Sequence, residues 1–137
     1  MTPPPLTGRC HCGGVTFDLA RARGSVYCHC SICRRTSGAP FIAAVTVKPN
    51  DAEVRCADGV ELTPYASSSY LTRHRCSRCG AAIFNAIRME SGLAFDNFMV
   101  ALVDNAQAPH PTHHIYYAER ILDLDDGLPK FDAFGMP

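Results

Sequence analysis

The chain has 137 residues, 47% of them hydrophobic and 19% charged, enough for one domain with a core of its own. Thirteen basic residues balance thirteen acidic ones, and a net charge of zero removes the electrostatic footprint expected of a protein that binds nucleic acid or an anionic membrane. No apolar run approaches the ~20 residues of a membrane span, and Met1-Thr2-Pro3-Pro4-Pro5-Leu6 lacks the basic start and apolar core of a signal peptide, so a cytoplasmic protein is expected.

In chain order, residues 1–7 read as a flexible Pro-rich arm and residues 8–137 as a single domain. Val15, Phe17 and Leu19 alternate with Thr16 and Asp18, the period of a half-buried strand. Residues 31–37 suggest a short helical turn ended by Gly38. A second strand is expected over 40–47, stopped by Pro49-Asn50-Asp51, and a third over 53–56 before the Asp58-Gly59 turn. Residues 69–75 alternate into Cys76, and 81–87 leave the following turn as a hairpin partner. Residues 93–103 and 114–117 complete an all-β set punctuated by Gly and Pro.

Seven of the eight cysteines fall into three tight groups: Cys10 and Cys12; Cys28, Cys30 and Cys33; Cys76 and Cys79. An even cysteine count also suits a disulfide framework, but a bond within C-x-C closes a small, strained ring, and the chain start points to a reducing compartment. Metal-bound thiolates are favoured, with zinc the commonest occupant. Cys10-His11-Cys12-Gly13-Gly14 and Cys76-Ser77-Arg78-Cys79-Gly80 each end in glycine, which lets backbone N–H groups turn toward the sulfurs. Together they supply four ligands from opposite halves of the chain, a structural site.

Cys28-His29-Cys30-Ser31-Ile32-Cys33 offers three thiolates from one loop, leaving a fourth metal position for water, a substrate thiol or another side chain. The alternative is a closed site completed by Cys56 or a histidine. Arg34 and Arg35 follow directly and suit a substrate carboxylate or the site's own charge; solvation is the plainer reading. The first fifty residues carry a surplus of five positive charges, which suits a pair of thiolate sites. His29 is either a partner outside the metal shell or an exposed strand-end residue. Cys56 reads as a buried, inert thiol, and His110, His113 and His114 as loop and core residues.

These motifs resemble the glutathione-dependent formaldehyde-activating enzyme family, which includes centromere protein V. The resemblance rests on residues 8–17, on Cys28-His29-Cys30-Ser31-Ile32-Cys33-Arg34-Arg35 with Gly38-Ala39-Pro40-Phe41, and on Cys76-Ser77-Arg78-Cys79-Gly80-Ala81. His114-Ile115-Tyr116 and Gly127-Leu128-Pro129-Lys130-Phe131 resemble its closing pattern. The resemblance implies a β-tent fold of packed antiparallel sheets with almost no helix. It implies a structural zinc on Cys10, Cys12, Cys76 and Cys79, and a catalytic-type zinc on Cys28, Cys30 and Cys33. The implied activity is a carbon–sulfur lyase joining glutathione and formaldehyde. The chain has no tryptophan, and Ile121 stands near the place where family members often carry one, so a changed aromatic wall is expected there.

Two other classes compete. One is a non-catalytic, zinc-stapled β scaffold that binds a protein partner; the other is a metal-carrying or redox protein using the same loop. The open three-cysteine loop favours the enzyme.

Overall fold

The computed structural model describes residues 4–104 and 106–137. Ten strands and one short helix follow in the order β1 (Leu6–Arg9), β2 (Val15–Leu19), β3 (Gly24–Cys28), α1 (Ser31–Ser37), β4 (Ile42–Val47), β5 (Ala52–Cys56), β6 (Leu62–Ala66), β7 (Leu71–Cys76), β8 (Ala82–Arg88), β9 (Ala94–Met99) and β10 (His114–Ile115). They form two sheets, a small one ordered β1-β2-β5 and a large one ordered β10-β3-β4-β9-β8-β7-β6. The all-β architecture of packed sheets with little helix is the one expected. Every pairing between the named strands is antiparallel except β10 on β3, where His114 lies beside Tyr27 and Ile115 beside Cys28 in parallel register.

The alternation in β2 seats the small sheet on the large one. Val15, Phe17 and Leu19 are buried while Thr16 and Asp18 are only partly covered. The Phe17 ring lies 4.8 Å from Phe98 of β9, and Phe98 stacks at 4.7 Å on Phe84 of β8. Burying each such ring stabilises the fold by about 1.5–3 kcal/mol. Gly8 of β1 is required by this contact: a methyl there would overlap the Phe17 ring and stand 2.6 Å from the Leu102 carbonyl.

The large sheet has a second apolar face. On β7, Thr72, His74 and Cys76 alternate with Leu71, Arg73 and Arg75. His74 stacks on Phe84 at 4.5 Å, on the side of the small sheet. Arg73 and Arg75 reach α1 on the other side, donating to the Cys33 sulfur and the Thr36 carbonyl. Cys28, Cys33, Ile42, Met99 and Ile115 make a separate apolar cluster there. Pairing slips where His74 faces Phe84 and Arg75 faces Ala82, and the extra residue, Ile83, enters the main core with Phe84.

Several expectations need correction. Leu6 and Thr7, assigned to a flexible arm, are strand residues: β1 pairs Leu6 with Leu19 and Thr7 with Asp18, and the Thr7 hydroxyl donates to Asp104. Met1, Thr2 and Pro3 lie outside the described residues. The strand expected over 93–103 ends at Met99 in a 3-10 turn, Val100–Leu102, and that over 114–117 ends at Ile115. Strand β6 was not anticipated; Pro64 interrupts its pattern, and it is tolerated because β6 is the edge of the large sheet. Cys56 is exposed, not buried, since β5 is likewise an edge strand. Among the described residues no helix is long and apolar enough to cross a membrane.

Candidate metal centres and the groups around them

The β1–β2 and β7–β8 hairpins meet tip to tip. Cys10 closes the first turn by donating its N–H to the Val15 carbonyl at 3.0 Å; Cys76 closes the second by donating to Ala81 at 2.9 Å. Gly13 and Gly80 take φ of 77° and 76°, a left-handed conformation that glycine adopts without strain. Backbone N–H groups then aim at the sulfurs: Val15 at Cys10 (3.3 Å), Gly14 at Cys12 (3.4 Å), and Arg78 and Cys79 at Cys76 (3.4 and 3.5 Å). The sulfurs of Cys10, Cys12, Cys76 and Cys79 all lie within 4.8 Å of one another.

Their spacing tests whether a metal fits. Four sulfurs ~2.3 Å from one zinc stand about 3.8 Å apart along the edges of a tetrahedron. Cys10 and Cys12 are 3.6 Å apart, and Cys12 and Cys76 are 3.7 Å apart. A disulfide needs about 2.05 Å, and all eight cysteines are free. The donor set and its spacing therefore fit a tetrahedral ion. Arg78 donates from Nε to the Cys12 sulfur at 3.3 Å, and this bond pulls the Cys12 thiol down to about 6.

The second cluster lies on the opposite face of the large sheet. Cys28 ends β3, Cys30 is the N-cap of α1, and Cys33 sits in its first turn. The Cys30 sulfur accepts the Cys33 N–H at 3.2 Å, and Cys33 is 3.6 Å from Cys28. These three sulfurs also lie within 4.8 Å of one another, and among the described residues no fourth His, Cys, Asp or Glu joins them. That geometry disfavours the closed-site alternative: Cys56 is exposed, and His29 turns elsewhere. Without a cation the three thiols cannot all ionise. The hydrogen bond between Cys28 and Cys30 pushes Cys28 up and holds Cys30 far below the usual thiol range.

The groups around this cluster differ in part from those the sequence suggested. Arg34 and Arg35 both fall in the last turn of α1, where they complement the helix dipole. Neither is among the donors to a sulfur, although Arg34 Nε is buried without a partner. The guanidinium that does reach the cluster is Arg73 of β7, 3.7 Å from the Cys33 sulfur through one terminal nitrogen and 3.9 Å through the other. Nothing local to its sequence marked it, since forty residues separate it from Cys33. His29 is buried: its Nε2 lies 2.8 Å from Nδ1 of His114, whose Nε2 lies 2.6 Å from the Asp126 carboxylate. Burial, reinforced by His114, lowers His29 to about 4, so it is neutral at pH 7. His114 is thus the core residue expected; His110 is exposed and His113 is half-buried. Ile121 is 58% exposed and walls neither cluster.

An all-β protein with two sulfur clusters that could each hold a metal ion, one of four sulfurs and one of three among the described residues, defines a class of cysteine-rich β domains. Residues 5–119 match the family model described as glutathione-dependent formaldehyde-activating enzyme, and the chain belongs to that family. A Halomonas elongata protein named "Putative glutathione-dependent formaldehyde-activating enzyme" is 37% identical over 87 residues, 58% of this chain and 54% of that protein. A Schizosaccharomyces pombe protein named as an uncharacterized lyase is 31% identical over 85 residues, 61% of this chain and 58% of its own length. The chain thus spans somewhat over half the length of either relative. A crystal structure of a Rhodobacter sphaeroides protein matches at a TM-score of 0.56 and 24% identity, covering 91% of this chain and 98% of that one; the likeness is one of fold.

Proposed function

We propose that the chain is a zinc-dependent carbon–sulfur lyase of cytoplasmic thiols that acts on a thiol–aldehyde adduct, with glutathione and formaldehyde as the pair. The observation that carries this reading is the three-sulfur cluster of Cys28, Cys30 and Cys33, which no fourth protein ligand closes among the described residues. The family match and the names of the two relatives support the same chemistry.

In this reading Cys10, Cys12, Cys76 and Cys79 hold a structural zinc, and Cys28, Cys30 and Cys33 hold a second. Zinc bound there would supply Lewis acidity that favours the thiolate form of an entering thiol. The protein's own groups do the rest. Cys30 holds Cys33 in place through the helix N-cap bond, and β3 fixes Cys28. Arg34, with its unpartnered buried Nε, and Arg35 receive a carboxylate of the thiol substrate. In the synthetic direction the sulfur forms a bond to the formaldehyde carbon, the C=O π bond breaks, and the thiol proton ends on the oxygen of the S-hydroxymethyl product.

The test is exchange NMR of glutathione with ¹³C-formaldehyde, with the metal-loaded protein and with Cys30→Ser. Faster adduct exchange with the wild type alone is expected. Equal rates with and without protein would overturn the reading and put the non-catalytic, protein-binding scaffold in its place.

A further inference from the structure

Arg73 is 7% exposed, and among the described residues no carboxylate lies within 4.0 Å of it. Its Nε donates to the Ser67 hydroxyl at 3.0 Å, and its two terminal nitrogens face the Cys33 sulfur. A buried guanidinium with only a hydroxyl for company costs several kcal/mol unless an anion faces it. The sole anionic candidate in contact is the sulfur cluster. Conversely, three thiolates around a divalent ion keep one negative charge, and Cys28 and Cys33 bury it. Each side lacks the charge that the other holds.

We infer that Arg73 is the fixed counter-charge of the Cys28–Cys30–Cys33 centre, which makes the metal-loaded cluster neutral and so sets its affinity for a divalent ion and its acceptance of an anionic fourth ligand. This inference rests on the reading of that cluster as a metal centre. Arg73 acts as a positioning residue: it touches a ligand, not the reacting atoms. The guanidinium is always charged, and its place on β7, held on both edges by β6 and β8, fixes where that charge sits. Arg34 and Arg35, on α1, are left for the substrate.

The experiment is competition of Zn²⁺ and Co²⁺ against a chromophoric chelator on the full chain, for the wild type and for Arg73→Lys, Arg73→Gln and Arg73→Met. The wild type takes up two equivalents. Loss of one outer-shell partner of this kind costs about 10–100-fold in metal affinity. Arg73→Gln and Arg73→Met should lose about that much at the second equivalent and nothing at the first, while Arg73→Lys recovers most of it. The thermal midpoint of the one-metal form should be least affected in Arg73→Met, which removes the buried charge and keeps the packing. Titrating the Co²⁺ forms with mercaptopropionate and with mercaptoethanol gives the second readout: Arg73→Gln should lose more affinity for the anionic thiol than for the neutral one. Unchanged second-site affinity in Arg73→Gln, or equal losses in the Lys and Gln variants, would overturn the counter-charge. A wild type that binds one equivalent only would overturn the metal reading itself, a result distinct from either.

Discussion

Arg73 and Cys76 stand three residues apart on β7 and face opposite sides of the large sheet, one toward Cys33 and the other toward Cys10 and Cys12. At a rise of ~3.3 Å per residue the strand sets the two sulfur clusters about 10 Å apart along its length, with the sheet between them. Damage to one cluster therefore need not reach the other.

The four-sulfur site should be required for folding. Its ligands join residues 10–12 to residues 76–79, so metal binding energy is folding energy there, of the order of 10–16 kcal/mol in small zinc domains. That is comparable with the whole stability of a typical domain. Cys76→Ser should give insoluble or unfolded protein, and a cooperative melt at the wild-type temperature would contradict this.

Cys30→Ser should fold and lose one metal equivalent. Serine is a good N-cap and can accept the Cys33 N–H that the Cys30 sulfur now accepts. Far-UV circular dichroism and metal analysis check the two halves; an unfolded variant would make the second cluster structural as well.

Entry of a thiol at the three-sulfur centre should release a proton, strengthen with pH below the free thiol's pKa, and fail for S-methylglutathione. Calorimetry in two buffers of different ionisation enthalpy reads the proton directly. Arg34→Ala should weaken glutathione binding by about 1.5–3 kcal/mol, the range of a charged hydrogen bond. Equal affinity for glutathione and its S-methyl form would exclude capture through sulfur.

Phe17→Ala should destabilise the protein by about 3–5 kcal/mol, since the ring is fully buried between Gly8 and Phe98 and its loss opens a cavity between the sheets. A chemical denaturation midpoint within error of the wild type would show that the two sheets do not depend on this contact.

Asp126 ties the C-terminal segment to the buried histidines, with Lys130 2.9 Å away on its other oxygen. Lys130, then His114, hold its carboxyl well below the ordinary carboxylate range. A depressed carboxylate contributes above its unfolded pKa and loses that contribution as pH falls through the folded one. From pH 7 to 5 the contact should thus be constant. Asp126→Asn should speed hydrogen exchange of the His114 and Phe131 amides, which bond to Pro129 and His114 carbonyls, by a similar factor at both pH values. Unaltered exchange would show that the pair does not restrain the segment.

The strands legible from sequence are those with a local signal: β2 alternates in burial, and β4 is an apolar run stopped by Pro49. Helix α1 was legible because Gly38, at φ 71°, closes it. Strand β1 was hidden by the prolines before it and β6 by Pro64; β10 was legible as a strand, but its parallel pairing with distant β3 was not. The sulfur clusters were readable because each hairpin tip or loop carries its ligands close together. Their surroundings were not, because Arg73 and His114 reach Cys33 and His29 across 40 and 85 residues. Such contacts follow from sheet order, and no local pattern encodes sheet order.

The separation of Cys10 and Cys12 from Cys76 and Cys79 has a consequence for synthesis. A chain leaving the ribosome presents its N-terminal half first. Five of the seven cluster sulfurs, at positions 10, 12, 28, 30 and 33, are in the open before the β7–β8 hairpin exists. A zinc ion arriving then can draw its ligands from both motifs at once and hold β1 against α1, an arrangement the finished fold does not contain. The nascent chain is thus best served by late metal delivery, after Cys79 and the arginine that neutralises the second cluster have both emerged.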